Sequence, residues 1–207
     1  AGCAQLLNFP EAEMHIRKML FEPDDTLCYQ PFPQWTNGYA KWKEPDNAGR
    51  VDELHPHDGW RWLNGSGIHS GRLFGGSFEV LEIMKGTRHW PAAGFWRDRI
   101  IFLETSEENL PISQIRHWLF NYGVQGVFDQ AAGLLIGRAR DFTADKKAEL
   151  DQVILETVVH QFDAHDLPIV TNMDFGHTDP QWILPLGISA ELDCERKTFR
   201  LLETAVS

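Results

Sequence analysis

A regular pattern of apolar and polar positions begins near residue 99 and continues through the second half of the chain. Three short, almost wholly apolar runs are typical of strands buried on both faces, at residues 99–104, 133–137 and 168–171. Between them, residues 111–122 and 143–165 space their apolar side chains by three and four positions, as amphipathic helices do. This alternation of strands and helices predicts an α/β fold with a largely parallel sheet.

Two further strands are expected to close the sheet. Residues 184–192 and 198–203 predict an antiparallel pair joined by a polar turn. Upstream, Ser77 follows two glycines and precedes the apolar stretch FEVLEIM, so we expect it to be the N-cap of a short helix. The exposed amides of such a helix start could hold an anion.

The first part of the chain differs in composition, since six of the eight tryptophans lie before residue 99. Residues 10–21 predict a short helix with an early proline, whereas residues 30–71 show no sustained periodicity. So long a loop is expected to be either functional or poorly ordered. The tryptophans favour order, because exposed indoles leave a large apolar area in water. We therefore predict a loop-rich segment over residues 1–70 that leads into an α/β domain over residues 71–207.

Charge and cysteine content narrow the class of protein. The 207 residues carry 19 Lys and Arg against 30 Asp and Glu, a net charge of −11, which disfavours nucleic-acid and anionic-membrane partners. No apolar run approaches the roughly 20 residues that span a bilayer. The start, AGCAQLL, has neither Met nor a charged-then-apolar leader, so no signal peptide is predicted and a trimmed start fits as well as a natural one. Cys3, Cys28 and Cys194 are widely spaced, which favours reduced thiols in a cytoplasmic protein.

Glu104 is the most informative acidic residue. It follows four apolar residues, which places it at the carboxyl end of a buried strand. In open α/β sheets that edge is where ligands bind. A carboxylate there must be solvated by a crevice or paired with a hydrogen-bond donor. The alternative is an ordinary acid at a strand end that caps the following helix.

His177 is the histidine most clearly placed for chemistry. It lies in the turn-rich sequence DFGHTDP, directly after the predicted strand at 168–171. An acid that orients an imidazole, with the imidazole as general base, is two-thirds of a serine-hydrolase triad. Glu104 and His177 together are therefore a stronger candidate pair than either residue alone, although His177 could be an ordinary loop residue.

No residue of the sequence completes that triad convincingly. The chain has no G-x-S-x-G motif, and Ser66, between two glycines, has no strand before it, so we interpret it as a loop serine. His55 and His57 could be imagined as metal ligands, but the proline between them and the lack of a third ligand favour a solvated loop and no metal. Glu107 and Glu108 are interpreted as first-turn acids of the helix that begins near Pro111.

Several segments, taken in order, resemble the C-terminal domain of the LD-carboxypeptidase family, and within it the microcin C immunity branch. They are FLETSEE at 102–108, GLLIGR at 133–138, NMDFGHTDP at 172–180 and LPLG at 184–187, with GWRWL at 59–63, GRLFGG at 71–76 and GTRHWP at 86–91 upstream. The match covers about residues 59–206, and the first 58 residues match only loosely.

The resemblance implies a swivelling β/β/α-type domain and a two-domain serine peptidase with a Ser–Glu–His triad. It assigns the triad Glu to Glu104 and the His to His177, and it implies a homodimer, no metal or other cofactor, and a cytoplasmic setting. The substrate implied is a peptide or peptidyl-nucleotide cleaved near its carboxyl end, with an aromatic residue such as Trp35 or Trp42 holding the base. The domain that carries the nucleophile lies outside these 207 residues, so we expect this chain alone to be inactive.

Two alternatives remain open at this stage. One is a non-catalytic peptide-binding or dimerisation module of the same fold. The other is a nucleotide-binding protein that uses Gly75, Gly76 and Ser77, although these glycines lack the GxGxxG spacing.

Overall fold

Within the residues that the structure describes, the fold contains ten strands, four α-helices and a short 3-10 helix at Ala93–Trp96. A computed structural model describes residues 9–22, 26–38, 51 and 53–206. The strands within these ranges are β1 (Leu27–Cys28), β2 (Gln34–Trp35), β3 (His55–Pro56), β4 (Arg61–Asn64), β5 (Ile68–Ser77), β6 (Arg99–Glu104), β7 (Gly133–Arg138), β8 (Ile169–Gly176), β9 (Ser189–Asp193) and β10 (Thr198–Leu201). The helices are α1 (Pro10–Leu20), α2 (Phe78–Met84), α3 (Ile112–Val124) and α4 (Ala144–Ile154), which continues as a π-helix over Leu155–Gln161.

Eight of the strands form one sheet in the order β1-β10-β9-β5-β6-β7-β8-β4. Its four central strands, β5 to β8, are parallel, and the strands on both sides pair antiparallel. Strands β2 and β3 form a separate two-stranded sheet. The predicted α/β class with a largely parallel sheet is thus confirmed, with parallel pairing concentrated at the centre.

The two faces of this sheet are covered differently. Ile101 and Leu103 of β6 point to the face covered by α2, α3 and α4, whereas Ile100 and Phe102 point to the opposite face. That opposite face is covered by α1 and by aromatic side chains, chiefly from the first part of the chain: Tyr29, Phe32, Trp60, Trp182 and Phe199. Ordered packing therefore explains the high aromatic content noted in the sequence. No helix in the described part of the chain is long and apolar enough to cross a membrane.

Most of the predicted elements are confirmed. Strand β6 has the bounds expected from the sequence, and β9 and β10 form the predicted antiparallel pair. Thr143 is the N-cap of α4, and its hydroxyl accepts a hydrogen bond from Lys146 N. Ser77 precedes α2 as predicted, but its hydroxyl donates to the Glu79 carboxylate and does not cap the helix amides.

Two segments differ from the prediction. The region without periodicity contains β4, which pairs with β8, and the start of β5. β4 has only four residues, all of intermediate burial, so it carries no alternating pattern. The strand predicted over 184–192 begins only at Ser189, because Pro185 and the positive φ of Gly187 interrupt extended pairing before it.

Strand β5 crosses the predicted division between residues 70 and 71, and β1 and β4 belong to the large sheet.

The close approach of β5 to β6 predicts that Gly75→Ala destabilises the protein strongly. A Cβ atom at Gly75 would lie 1.7 Å from the carbonyl oxygen of Phe102, so the two strands would have to move apart. Since overpacking of a core costs about 1–3 kcal/mol and at times more, we expect urea denaturation to show a loss of about 3 kcal/mol in the free energy of unfolding. The matched control Gly86→Ala, whose Cβ would meet no atom within 4 Å, should lose less than about 1 kcal/mol. Equal losses in the two variants would contradict this account.

Candidate active site

Glu104 and His177 meet at the carboxyl edge of the parallel strands. Glu104 is the last residue of β6 and His177 directly follows β8, with β7 between them. His177 Nδ1 lies 2.7 Å from Glu104 Oε2, a hydrogen-bonding distance. The sequence-predicted pair is therefore brought into direct contact.

Two glycines make this contact possible. A Cβ atom at Gly137 of β7 would lie 2.4 Å from Phe175 O and 3.0 Å from Glu104 Cβ. A Cβ atom at Gly176 would lie 3.1 Å from Glu104 Cβ, and the φ of Gly176, +109°, is one that L side chains rarely adopt. The Glu104 side chain thus crosses the end of β7 through space that any larger residue would fill.

The environment shifts the pKa of both members of the pair. The hydrogen bond to Glu104 raises the pKa of His177 above its ordinary value, and the negative charges of Glu104, Glu107 and Glu79 add to this effect, while partial burial opposes it. Burial raises the pKa of Glu104, and the bond to His177 opposes that shift. The imidazole therefore keeps its proton to a higher pH than a free histidine does.

A second carboxylate lies on the other side of the ring. Glu107 Oε2 is 3.2 Å from His177 Nε2, and the Glu107 side chain is 60% exposed. Its position corrects the interpretation of Glu107 and Glu108 as first-turn helix acids. Helix α3 begins only at Ile112, and both residues lie in the turn that follows β6.

Glu79 of α2 fixes the start of that turn. Its Oε1 accepts hydrogen bonds from Ser106 N at 2.9 Å and from Ser106 Oγ at 2.8 Å, and its Oε2 accepts one from Ser77 Oγ at 2.6 Å. These bonds lower the pKa of Glu79 even though burial opposes the shift. Both serines near the pair therefore donate to Glu79, and among the described residues no serine hydroxyl is hydrogen-bonded to His177.

Beneath the pair lies a buried ionic network on β7 and β8. Arg138 Nη2 donates to Asp174 Oδ1 at 2.7 Å, and both side chains are fully buried. Trp60 Nε1 donates to Asp174 Oδ2 at 2.9 Å. Burial of a charged pair costs desolvation energy, which such hydrogen bonds offset. Asp174 lies three residues before His177, so the network anchors the end of the strand from which His177 projects.

The network continues to Asp58. Lys147 Nζ donates to Asp58 Oδ2 at 2.7 Å, and Asn172 Nδ2 donates to Asp58 Oδ1 at 2.7 Å. Burial opposes ionisation of Asp58, but these two hydrogen bonds and the charges of Lys147 and Arg138 together outweigh it and lower the pKa of Asp58 to about 2. Asp58 is therefore ionised throughout the physiological range.

Of the two tryptophans predicted to hold a nucleotide base, the structure describes only Trp35. Trp35 lies in β2 and is buried; its ring packs against His55, with the Arg138 guanidinium 4.9 Å and Lys147 Nζ 4.5 Å from the ring centroid. The neighbouring Thr36 pairs with Asp179, so this strand lies beside the His177 loop. A base could stack on Trp35 only after these neighbours moved. Trp42 lies outside the described residues.

The histidines considered as metal ligands belong to the same region. His57 Nδ1 accepts a hydrogen bond from Gly59 N, and His57 Nε2 lies 3.6 Å from Asp174 Oδ2. His55 lies in β3 and packs on Trp35, and both histidines are half-buried, whereas the sequence predicted a solvated loop. Within the described ranges, no group of three or more His, Cys, Asp or Glu side chains is arranged to hold a metal ion.

Comparison with known proteins identifies the family to which this chain belongs. The fold and the acid–imidazole pair describe an α/β domain with a polar site at the carboxyl edge of its sheet. The family model for the LD-carboxypeptidase C-terminal domain matches residues 70–192, and the chain belongs to this family. The relatives include a putative carboxypeptidase of Vibrio cholerae, 25% identical over 97% of this chain, and the microcin C7 self-immunity protein MccF of Escherichia coli, 27% identical over 94%.

Solved structures show the same fold. An MccF-like protein from Streptococcus pneumoniae in complex with AMP superposes with a TM-score of 0.77 at 22% identity, covering 92% of this chain and 57% of that one. MccF in complex with aspartyl sulfamoyl adenosine superposes with a TM-score of 0.74 at 22% identity, covering 94% and 55%. The chain also covers 58% of the Vibrio protein and 54% of MccF, so it spans little more than half the length of these relatives.

Sequence reasoning missed the residues that surround the pair. Arg138 directly follows the predicted strand at 133–137, and Asp174 lies three residues after the predicted strand at 168–171; the observed strands extend to include both. Opposite charges just beyond two neighbouring strands were the signal that could have indicated an ion pair. The contacts of Glu79 and Glu107 had no such signal. They depend on the path of the turn after β6, which periodicity does not report.

Removing one partner of the buried pair should destabilise the protein. Asp174→Ala leaves the Arg138 guanidinium buried without its carboxylate, and we expect the free energy of unfolding to fall by about 3–5 kcal/mol in urea denaturation. Glu149→Ala, which removes an exposed acid of α4, is the control and should cost less than about 0.5 kcal/mol. A loss below 1 kcal/mol for Asp174→Ala would show that the pair contributes little.

Proposed function

We propose that this chain supplies the Glu and His of a Ser–Glu–His triad in a carboxypeptidase or related amide hydrolase. The observation that carries the proposal is the 2.7 Å contact between His177 Nδ1 and Glu104 Oε2 at the carboxyl edge of the sheet. Glu104 accepts a hydrogen bond from the Nδ1–H group and so fixes the ring orientation and tautomer, which leaves Nε2 to act as the base. The family membership, and relatives that are named carboxypeptidases, support this reaction class.

The serine would come from a second domain outside the residues of this chain. His177 Nε2 would take the proton of that serine as it attacks the scissile carbonyl, and would then give the proton to the leaving amine. Glu104 would stabilise the imidazolium formed in between. With two of the three triad groups, this chain by itself would not turn over substrate.

The substrate proposed is a peptide or a peptidyl-nucleotide cleaved near its carboxyl end. Support comes from structural neighbours of the same fold, which are complexes with AMP, aspartyl sulfamoyl adenosine and glutamyl sulfamoyl guanosine. Trp42 and, after rearrangement of its neighbours, Trp35 are the proposed contacts for the base.

A cytoplasmic homodimer is proposed on the family resemblance. The two cysteines of the described residues, Cys28 and Cys194, are free thiols, which is consistent with a reducing compartment. Sedimentation velocity of the purified protein measures the oligomeric state directly.

The catalytic assignment is tested in a version of the protein extended at its N-terminus to include the serine-bearing domain. Glu104→Gln and His177→Ala should each reduce kcat by about 10³-fold or more on peptidyl-adenylate or LD-peptide substrates, because the general base is either misoriented or absent. His165→Ala, at an exposed histidine beyond the π-helix, is the control and should keep normal activity. Near-normal turnover in either triad variant would refute the assignment, and turnover by the unextended chain would refute its proposed inactivity.

The pH dependence of the same reaction provides a second test. Only the neutral imidazole can act as base, and the contact with Glu104 raises the pKa of His177. The value of kcat/KM should therefore rise with pH through an inflection above about 6.5, the ordinary value for histidine. A profile that is flat from pH 5 to 8 would contradict the role of His177 as general base.

A further inference from the structure

Both ring nitrogens of His177 face carboxylates. Nδ1 lies 2.7 Å from Glu104 Oε2, and Nε2 lies 3.2 Å from Glu107 Oε2. A neutral imidazole has one N–H group and can donate to only one of these acids, whereas an imidazolium can donate to both. The arrangement therefore matches the protonated ring and occupies the nitrogen that would have to receive a serine hydroxyl.

The backbone on both sides of Glu107 is held in place. Ser106 is bound through its amide and its hydroxyl to Glu79 of α2. Asn109 accepts a hydrogen bond from Lys146 Nζ of α4 through its side-chain oxygen. The turn is thus tied to two helices.

The side chain of Glu107 is less constrained than its backbone. It is 60% exposed, whereas Glu104 is 12% exposed. Rotation about its χ angles can carry the Glu107 carboxylate into solvent without moving the turn. The backbone is thus fixed while the carboxylate is free to leave Nε2.

We propose that Glu107 is a positioning residue that holds His177 Nε2 until the triad serine displaces it. The inference rests on the proposed function, since it takes Nε2 as the nitrogen that serves the serine. With Glu107 in place, the ring is clamped between two acids in its catalytic orientation. When Glu107 rotates away, the Nε2 proton passes to solvent, and the neutral nitrogen can accept the proton of the serine.

Two other acids near His177 are present in every variant of the test. Glu79 of α2 accepts the hydrogen bonds of the two serines described above. Asp179, two residues after His177, is buried; burial raises the pKa of its carboxyl, and the nearby Arg140 and His177 oppose that shift. Any change on substitution of Glu107 can therefore be assigned to Glu107 itself.

The test is an NMR titration of the histidine ring nitrogens in this 207-residue chain labelled with ¹⁵N. Removing an exposed ion pair should lower the pKa of His177 by about 0.5 in Glu107→Gln. Glu108→Gln is the matched control: it removes the next carboxylate of the same turn, which makes no ion pair with His177 in the described structure, and it should leave the titration unchanged. Glu104→Gln should lower the pKa by about 1 or more, because that acid is largely buried.

Ionic strength distinguishes the effect of Glu107 on the pKa of His177 from that of Glu104. The Glu107 effect should shrink at 1 M salt, where the Debye length is about 3 Å, and the Glu104 effect should persist. If Glu107→Gln titrates like the unsubstituted chain while Glu104→Gln is lowered, the inference about Glu107 is wrong and the proposed pair stands. If Glu104→Gln is also unchanged, the pairing that underlies the proposed function fails as well.

Discussion

The hydrogen bond between Glu104 and His177 crosses the end of β7, and it determines which residues can lie at this edge of the sheet. Neighbouring strands are about 4.8 Å apart, so the ends of β6 and β8 are separated by two such spacings, and Glu104 and His177 must reach towards each other over the strand between them. That reach requires glycine at 137 and 176, because a Cβ atom at either position would lie about 3 Å from Glu104 Cβ and crowd the Glu104 side chain. The chemistry of the edge thus depends on the absence of side chains as much as on their presence.

The sequence is sufficient to predict the pair but not its surroundings. Glu104 was identifiable because it ends an apolar run, and His177 because it lies in the loop after the next-but-one predicted strand; parallel strands bring their carboxyl ends to one edge. The position of Glu107 depends on a turn, and that turn is fixed by a bond from Ser106 to Glu79, 27 residues earlier in the chain. Local patterns carry no information on such a long-range contact. Strand β4 was missed for a related reason, since four half-buried residues at a sheet edge show no alternation.

The buried charges under the site have a different role from the pair above them. Ionic groups in a protein interior are weak sources of stability, since desolvation offsets most of their attraction. Arg138 and Asp174 nevertheless fix the relative position of β7 and β8 just below His177. Asp58, between β3 and β4, connects that part of the chain to α4 through its ion pair with Lys147. Such a network contributes orientation at the site, because its hydrogen bonds join β7 to β8 and join β8 to the segment at Asp58.

The aromatic cover on the second face of the sheet has a practical consequence for dissecting this protein. Phe9, Met19, Tyr29 and Phe32 come from the start of the chain and pack over the side of the sheet that α2, α3 and α4 do not cover. A fragment trimmed back to the bounds of the family match would present that surface, including Val170 and Met173, to water. Large bare apolar surfaces of this kind promote aggregation. The smallest well-behaved unit for expression or crystallisation therefore has to retain α1 and the strands that follow it.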